Sequence, residues 1–495
     1  MRRYILATVQ TAFGRLPGRS FVNTGIYTLA HGLPQAINFF LLPVYTRYLT
    51  PGEFGIFSFT SAILVFLPIF GSLSLHTYLL RHYRTAKDDA ARQTLVGTVS
   101  VTLIFLTTCA VALGFLVLPP VFDALEISVD FHPYMKLALL IGAIDVIAII
   151  PQCYFRITEN AKAFFGLISV QVFMVAGTTL YLLVIEDFGL LSRYYGLLST
   201  NSVLLLFYIA LIWRVSRFTF SPKLLGDGLK YCFPLAISAL LIGGLTVADR
   251  FVLERYSSLQ ELGIYAIALT VSGSISLLVI SMYKAFEPQF YSQESDKELN
   301  EYAVKVKQTI LTVVLVAATP LIACIREILA LLVTPEFYRA ATVISILVCA
   351  ELVRSLTVPV SIHLIAMNKT RYQPFISGLS GGIMIVASLI LVPLWGAVGA
   401  AIAACIAATS NLLGNVFYSR IKCEVSWNMV IDLAVIASAV TIGYLVQGIE
   451  IENVAVRSVT KLCLALTALA GYLILMSKIA ERNRGAASAK PSSHS

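Results

Sequence analysis

Charge is scarce in this sequence. Only 13% of its 495 residues are Asp, Glu, Lys or Arg, while 58% are hydrophobic, and the mean hydropathy is +0.83. Soluble domains carry about one quarter charged residues, so most of this chain has lipid as its solvent. Polar linkers are missing too: no long Pro/Ser/Gly-rich or charged stretch interrupts the apolar segments, which points to one integral-membrane body rather than several soluble domains. The eight cysteines are scattered, with no Cys-x-x-Cys pair. Most lie in apolar runs, where a thiol behaves as a small hydrophobe, so neither a disulfide framework nor a metal site is expected. No Gly-x-x-x-x-Gly-Lys-Ser/Thr loop occurs; without that phosphate cradle any energy source is external. Arg2 and Arg3 are not followed by a short apolar run with a small-residue cleavage site, so a removable signal is not expected. Ten-residue segments of alternating polarity, the mark of an outer-membrane barrel, are also missing. No catalytic group, no cofactor and no enzymatic activity is expected.

What remains is a series of long apolar runs. A bilayer core takes about 20 apolar residues per helix. On that measure spans are expected at about 24–45, 55–80, 94–118, 134–155, 165–185 and 194–213. A second set falls at about 229–253, 262–286, 309–333, 342–366, 374–393 and 397–418, and a last pair at about 430–447 and 458–476. Every second connection is basic: Arg81, Arg84, Lys87 and Arg92; Arg156 and Lys162; Arg214, Arg217, Lys223 and Lys230; Lys297, Lys305 and Lys307; Lys369 and Arg371; Arg420 and Lys422. The intervening connections carry few cations, as with Asp123, Glu126 and Asp130 or Glu450 and Glu452. The positive-inside rule places the basic set, and with it both termini, in the cytoplasm. The net charge of +9 is then explained by topology and contact with anionic membrane lipids, and no nucleic-acid partner is expected.

A repeat organises these spans. A shift of 208 residues lays Arg47-Tyr-Leu-Thr-Pro-Gly-Glu-Phe-Gly-Ile56 on Arg255-Tyr-Ser-Ser-Leu-Gln-Glu-Leu-Gly-Ile264, with five identities in ten. The same shift pairs Tyr83 with Tyr291, Pro151 with Pro359, Asn160 with Asn368 and Ser169 with Ser377. The expected fold is all-α integral membrane, about 14 transmembrane helices, with two six-helix bundles plus two C-terminal helices. Six is even, so the copies share one orientation and are related by a pseudo-twofold along the membrane normal, with a central cleft and alternating access as its consequence. The expected boundaries are a cytoplasmic N-terminal segment 1–20, bundles 21–220 and 221–420, two further helices 421–478, and a disordered basic tail 479–495.

The paired halves, the segment Arg47 to Phe57, and Asp249-Arg250 followed by Gly263-x-Tyr265 resemble the polysaccharide-exporter branch of the multidrug/oligosaccharidyl-lipid/polysaccharide (MOP) superfamily. Within it the chain is similar to the Wzx-type O-antigen-unit flippases, over all but the tail. The resemblance implies a bacterial cell inner membrane and a polyprenyl-diphosphate-linked oligosaccharide as substrate. It further implies membrane lipids as surroundings, with polysaccharide polymerase and chain-length proteins as candidate partners. Its rivals are a multidrug exporter of the same superfamily, a polysaccharide polymerase or ligase, and a transport-inactive scaffold.

Ionisable groups within spans identify the candidate site. Each costs about 2.5 to 3.5 kcal/mol at a lipid-facing position, so Asp145, Asp249, Arg250, Glu351 and Arg354 together would cost roughly 12 kcal/mol or more there. They are expected to face the interior. Glu351 and Arg354, at i and i+3, can meet as a structural pair on one helix face. Arg250 is the leading diphosphate contact, or else a structural partner for Asp145 or another acid. His76 and Lys284, equivalent under the shift, are further candidates near the cytoplasmic ends of their spans. Arg47 and Arg255, also equivalent, either contact substrate or snorkel to headgroups. Arg354 completes the candidate anion contacts. Asp145, Asp249, Glu351 and His31 are the candidate ion-coupling groups, although a lone histidine such as His31, His76 or His363 can equally be a helix-packing group.

Overall fold

A computed structural model describes residues 18–216, 219–290, 295–367, 372–423, 427, 429–449, 456–457, 459–465 and 467. The described chain is helical: α1 Gly18–Tyr48, α2 Pro51–Leu64, α3 Leu67–Ser72, α4 Leu75–His82, α5 Asp89–Ala124, α6 Lys136–Ile157, α7 Ala161–Val184 and α8 Leu191–Ser216. There follow α9 Pro222–Tyr256, α10 Leu259–Phe290, α11 Asp296–Ala323, α12 Ile325–Leu332, α13 Ala340–Ala366, α14 Gln373–Cys423 and α15 Met429–Gln447. Among the described residues, eleven helices or helix pairs are long and apolar enough to cross a bilayer. The architecture is all-α and membrane-spanning. The N-terminal residues 1–17, most of the last expected span and the tail lie outside the described residues.

Local chemistry sets the breaks. The second expected span is not one continuous helix but α2, α3 and α4 in series. Pro68 stands in the first turn of α3, where its missing N–H is harmless, and Leu73 and Ser74 take left-handed φ of 42° and 60° before α4. Conversely, the eleventh and twelfth expected spans form one 51-residue element interrupted at Gly396, whose φ of 55° and ψ of −129° no L side chain adopts readily. Helix starts carry side-chain caps: Asp88 accepts from the Ala91 amide at 2.7 Å, Asn160 from that of Ala163 at 3.1 Å, and Ser221 from that of Leu224 at 3.5 Å. Each satisfies an amide with no partner inside the helix.

Contacts divide the chain into two compact units, Met1–Thr270 with Met384–Ala400, and Val271–Ile383 with Ala401–Ser495. In the first, Leu79, Leu103, Val146, Ile150, Ile212 and Cys232 form the main core across α4, α5, α6, α8 and α9. In the second, α13 packs against α11 and α15 and is the most enclosed of the spans. Two buried charge clusters fasten the C-terminal helices there. Lys307 of α11 pairs with Asp432 of α15, and Glu327 of α12 accepts a hydrogen bond from Lys461 at 2.9 Å and forms an ion pair with Arg457 at 3.0 Å. Lys307, read in the sequence as a loop cation, is a buried helical residue at 2% exposure, because α11 starts at Asp296, well before the apolar run.

The first unit also explains its repeated motif. Thr50 and Glu53 form a capping box: the Glu53 carboxylate accepts the Thr50 amide at 2.8 Å and the Thr50 hydroxyl caps the amide of Glu53. A Cβ on Gly55 would stand 2.0 Å from the carbonyl oxygen of Leu259, and one on Gly263 would stand 1.7 Å from that of Pro51. Positions 51 and 55 are the 208-residue equivalents of 259 and 263, so the two contacts are reciprocal. Residue i of one copy meets j of the other while j meets i, which is the signature of a local twofold.

Candidate functional site

Helix ends in the first unit gather into two groups. One holds the α1–α2 junction, the segment before α6, the α7–α8 turn and the α9–α10 junction, tied by Ser128 N–H to Glu254 at 2.6 Å and by Arg255 to Glu126 at 3.6 Å. The other holds most of the basic loops, tied by Arg84 to Glu159 and by Arg81 to the Tyr231 hydroxyl at 2.9 Å. The first group is poor in cations and rich in acids.

Asp145, midway along α6, accepts a hydrogen bond from Asn201 Nδ2 of α8 at 2.8 Å. Asn201 Oδ1 in turn accepts from Gln171 Nε2 of α7 at 3.1 Å. Asp145 is nonetheless an exposed residue by surface area. Its neighbour is thus an amide and not Arg250. The Tyr208 hydroxyl, sealed and without a hydrogen-bond partner among the described residues, lies within electrostatic reach of it. Asp249 of α9 is buried and accepts from the Tyr265 hydroxyl at 2.6 Å and from the Arg250 amide at 2.8 Å. The adjacent Arg250 side chain is partly exposed and its guanidinium makes no ion pair or hydrogen bond among the described residues.

The other candidates are spread out. His76 of α4 has a sealed Nδ1 with no partner among the described residues. Exposed His31 packs its ring against Phe164 with centroids 5.4 Å apart and planes tilted by 58°. Arg47, in the last turn of α1, is exposed, and Arg255 lies at the same helix-end group in its exposed pair with Glu126. In the second unit Lys284 is exposed, and Arg354 donates to Glu351 at 2.8 Å. His363, fully buried, bonds Asn300 Oδ1 at 2.6 Å. Of the ten candidates, only Glu351 and Arg354 form an ion pair with each other among the described residues.

Three groups escaped the sequence reading: the Lys307–Asp432 pair, the Glu327 cluster, and Arg193. Arg193, in the first turn of α8, lies over the rings of Phe57 at 3.8 Å, Tyr45 at 4.7 Å and Phe54 at 5.6 Å. One signal was present in the sequence: Arg193 is a lone cation in a cation-poor connection, next to Tyr194 and Tyr195.

Known proteins share this architecture. The chain is similar to "Lipid II flippase MurJ, inward closed conformation", with a TM-score of 0.74 at 15% identity, covering 92% of this chain and 99% of that one. It is also similar to an inward-facing multidrug resistance MATE family transporter of the MOP superfamily, with a TM-score of 0.65 at 12% identity over 80% and 94% of the two chains. A MOP superfamily transporter from Pyrococcus furiosus matches with a TM-score of 0.51 at 14% identity over 82% and 95%. No curated protein sequence matches. The fold is therefore that of the MOP superfamily transporters. The family described as "Polysaccharide biosynthesis protein" matches residues 20–293, more than half of the sequence, and the chain belongs to that family.

Proposed function

We propose that this protein is a flippase that moves polyprenyl-diphosphate-linked oligosaccharide units from the cytoplasmic to the outer leaflet of a bacterial inner membrane by alternating access, for O-antigen, capsule or exopolysaccharide synthesis. The observation that carries the reading is a lipid-flippase fold running through nearly the whole chain of a polysaccharide biosynthesis family member. The multidrug transporters of the same fold match over less of the chain and less closely, which favours the lipid-linked substrate over a drug. The sugars and diphosphate would travel through the protein interior while the prenyl chain stays in lipid. Both termini are cytoplasmic in this reading, the basic loops facing inward, and the two six-helix bundles are the moving parts. A polymerase and chain-length proteins would receive the exported unit.

Arg250 is the leading diphosphate contact, since its guanidinium is free to present a planar fork of donors to phosphate oxygens. His76, Arg47, Lys284, Arg255 and Arg354 are further contacts at other stages; the last two would first have to release Glu126 and Glu351. Asp145 is the leading ion-coupling group among Asp145, Asp249, Glu351 and His31. Its carboxylate is accessible and its hydrogen-bond partner is the neutral amide of Asn201, so binding a proton or cation would neutralise a charge that no described ion pair offsets.

The test is surface glycan and inward-facing lipid-linked precursor, measured in cells lacking the chain and in cells carrying variants at matched protein level. Deletion should remove the glycan and accumulate precursor. Arg250→Ala should do the same, and Arg250→Lys, which keeps the charge without the fork, should retain part of the export. Unchanged glycan on deletion would refute the flippase reading. Unchanged glycan with normally abundant Arg250→Ala would remove Arg250 from the path.

A further inference from the structure

Arg193 poses a problem that the fold alone does not solve. Its guanidinium is enclosed by Tyr45 at the end of α1 and by Phe54 and Phe57 at the start of α2. Aromatic rings interact with the π faces of the cation and leave its N–H edge unoccupied. That edge has no carboxylate and no hydrogen-bond acceptor among the described residues. The Tyr194 hydroxyl is engaged with Thr60 at 2.7 Å. Arg193 is half-buried, and none of its nitrogens is sealed off without a partner. The guanidinium edge is therefore open to an occupant that the described residues do not supply.

Two observations argue against a purely structural plug. A half-buried guanidinium with no acceptor from the described residues loses hydration without a protein partner in return, and an apolar residue would fill the cage without that penalty. The repeat supplies such a comparison. With the shift of 207 or 208 residues, Arg193 corresponds to Ala400 or Ala401, and Tyr45, Phe54 and Phe57 correspond to Leu253, Leu262 and Tyr265. The second copy of this helix end is built from alanine, leucine and tyrosine, so the fold does not require a cation there. The surroundings sharpen the point: Glu53, Glu126, Asp130, Glu186 and Asp187 all belong to this same helix-end group, but none of them is paired with Arg193.

We infer that Arg193 and its aromatic cage form a binding station for the phosphate group of a lipid at the cation-poor end of the first unit. Rings hold the guanidinium plane fixed, so its in-plane donors are preorganised for bidentate contact with phosphate oxygens. If the proposed function holds, on which this inference rests, the cation-poor end is the outer-leaflet end and the station takes the diphosphate after Arg250, before release. The same chemistry could hold the phosphate of a bulk membrane lipid, and the experiment separates the two.

The probe is radiolabelled farnesyl diphosphate, a short isoprenoid diphosphate, titrated onto the full chain in nanodiscs of phosphatidylcholine, with and without phosphatidylglycerol. Arg193→Ala should weaken probe binding by about tenfold or more, and Arg193→Lys by less, since it keeps the charge without the fork. If phosphatidylglycerol leaves wild-type probe binding unchanged, the occupant is the lipid-linked diphosphate. If phosphatidylglycerol competes in the wild type and not in Arg193→Ala, the station stands and its occupant is a bulk lipid phosphate. Arg193→Gln, which keeps length and polarity, serves where alanine does not fold. Probe affinity equal to wild type in the neutral variants, whatever their thermal stability, overturns the inference. Cells distinguish that failure from failure of the flippase reading: normal glycan export by Arg193→Ala, with export still lost on deletion of the chain, overturns the station alone.

Discussion

The two copies of the motif at the cation-poor end, around Gly55 and around Gly263, differ in an instructive way. What they share is backbone geometry. Gly55 and Gly263 press on each other's opposing carbonyls, and two glycines at positive φ, Gly189 at 53° and Gly396 at 55°, each stand beside the equivalent glutamate. The Glu261 carboxylate accepts the Ala397 amide at 3.0 Å, while a Cβ on Gly189 would lie 3.6 Å from Glu53. What they do not share is charge. Arg193 occupies the first copy where the second has alanine, and Lys307 occupies the second where the 208-residue equivalent is Val99, a core residue at 3% exposure. Elements common to both copies hold the fold, whereas the differing residues mark what each copy does beyond folding: contact an anion in one, receive the added helix α15 in the other.

The largest effect should come from the shared geometry. Gly263→Ala would drive a methyl into the Pro51 carbonyl, a backbone atom that cannot swing aside, and Gly55→Ala meets Leu259 in the same way. Strain on that scale is expected to exceed about 3 kcal/mol. Fluorescence-detected size exclusion should show little folded protein for either variant. Gly177→Ala, with open space around its Cβ, should match wild type. Normal folding of Gly263→Ala would dissolve the reciprocal contact.

Next comes the unshared Lys307–Asp432 pair. Removing one partner leaves a buried charge alone, which costs about 3–5 kcal/mol. Lys307→Val and Asp432→Leu should each lower the thermal transition strongly, and the double variant should recover most of the loss, since Val99 shows that the copy tolerates an apolar residue here. Failure of the double variant to recover would mean that the pair does more than fasten α15.

The smallest effect belongs to Arg255 and Glu126, an exposed pair at 3.6 Å with side chains 51% and 81% accessible. Such pairs contribute about 0–1 kcal/mol. Arg255→Ala should leave thermal stability within error. Its glycan export then tells whether this arginine, proposed as a contact like its counterpart Arg47, touches the substrate.

Much of this was legible in one dimension. Apolar runs predict membrane helices because a backbone in lipid must satisfy its own hydrogen bonds and a helix does so locally. Glu351 and Arg354 announced their meeting because a three-residue spacing fixes proximity on a helix. The partner of Asp145 was not legible, since Asn201 is 56 positions away and any polar group on a neighbouring helix could have served. Lys307 was misassigned to a loop because hydropathy locates apolar runs and not helix starts; α11 begins more than ten residues before its buried lysine.

The sequence by itself determined the solvent, the approximate spans, the duplication and the family resemblance, all of which follow from composition, local periodicity and identity at a fixed offset. Apart from Glu351 and Arg354, tertiary structure alone decided which charges are paired and which are left open. Asp249 is bound to Tyr265, Lys307 to Asp432 and Glu327 to Lys461, while Arg250 is left without a side-chain partner and Arg193 is ringed by aromatics without an acid among the described residues. The reason is that a charge inside a membrane protein is defined by the few ångströms around it, and those neighbours come from helices far apart in the chain.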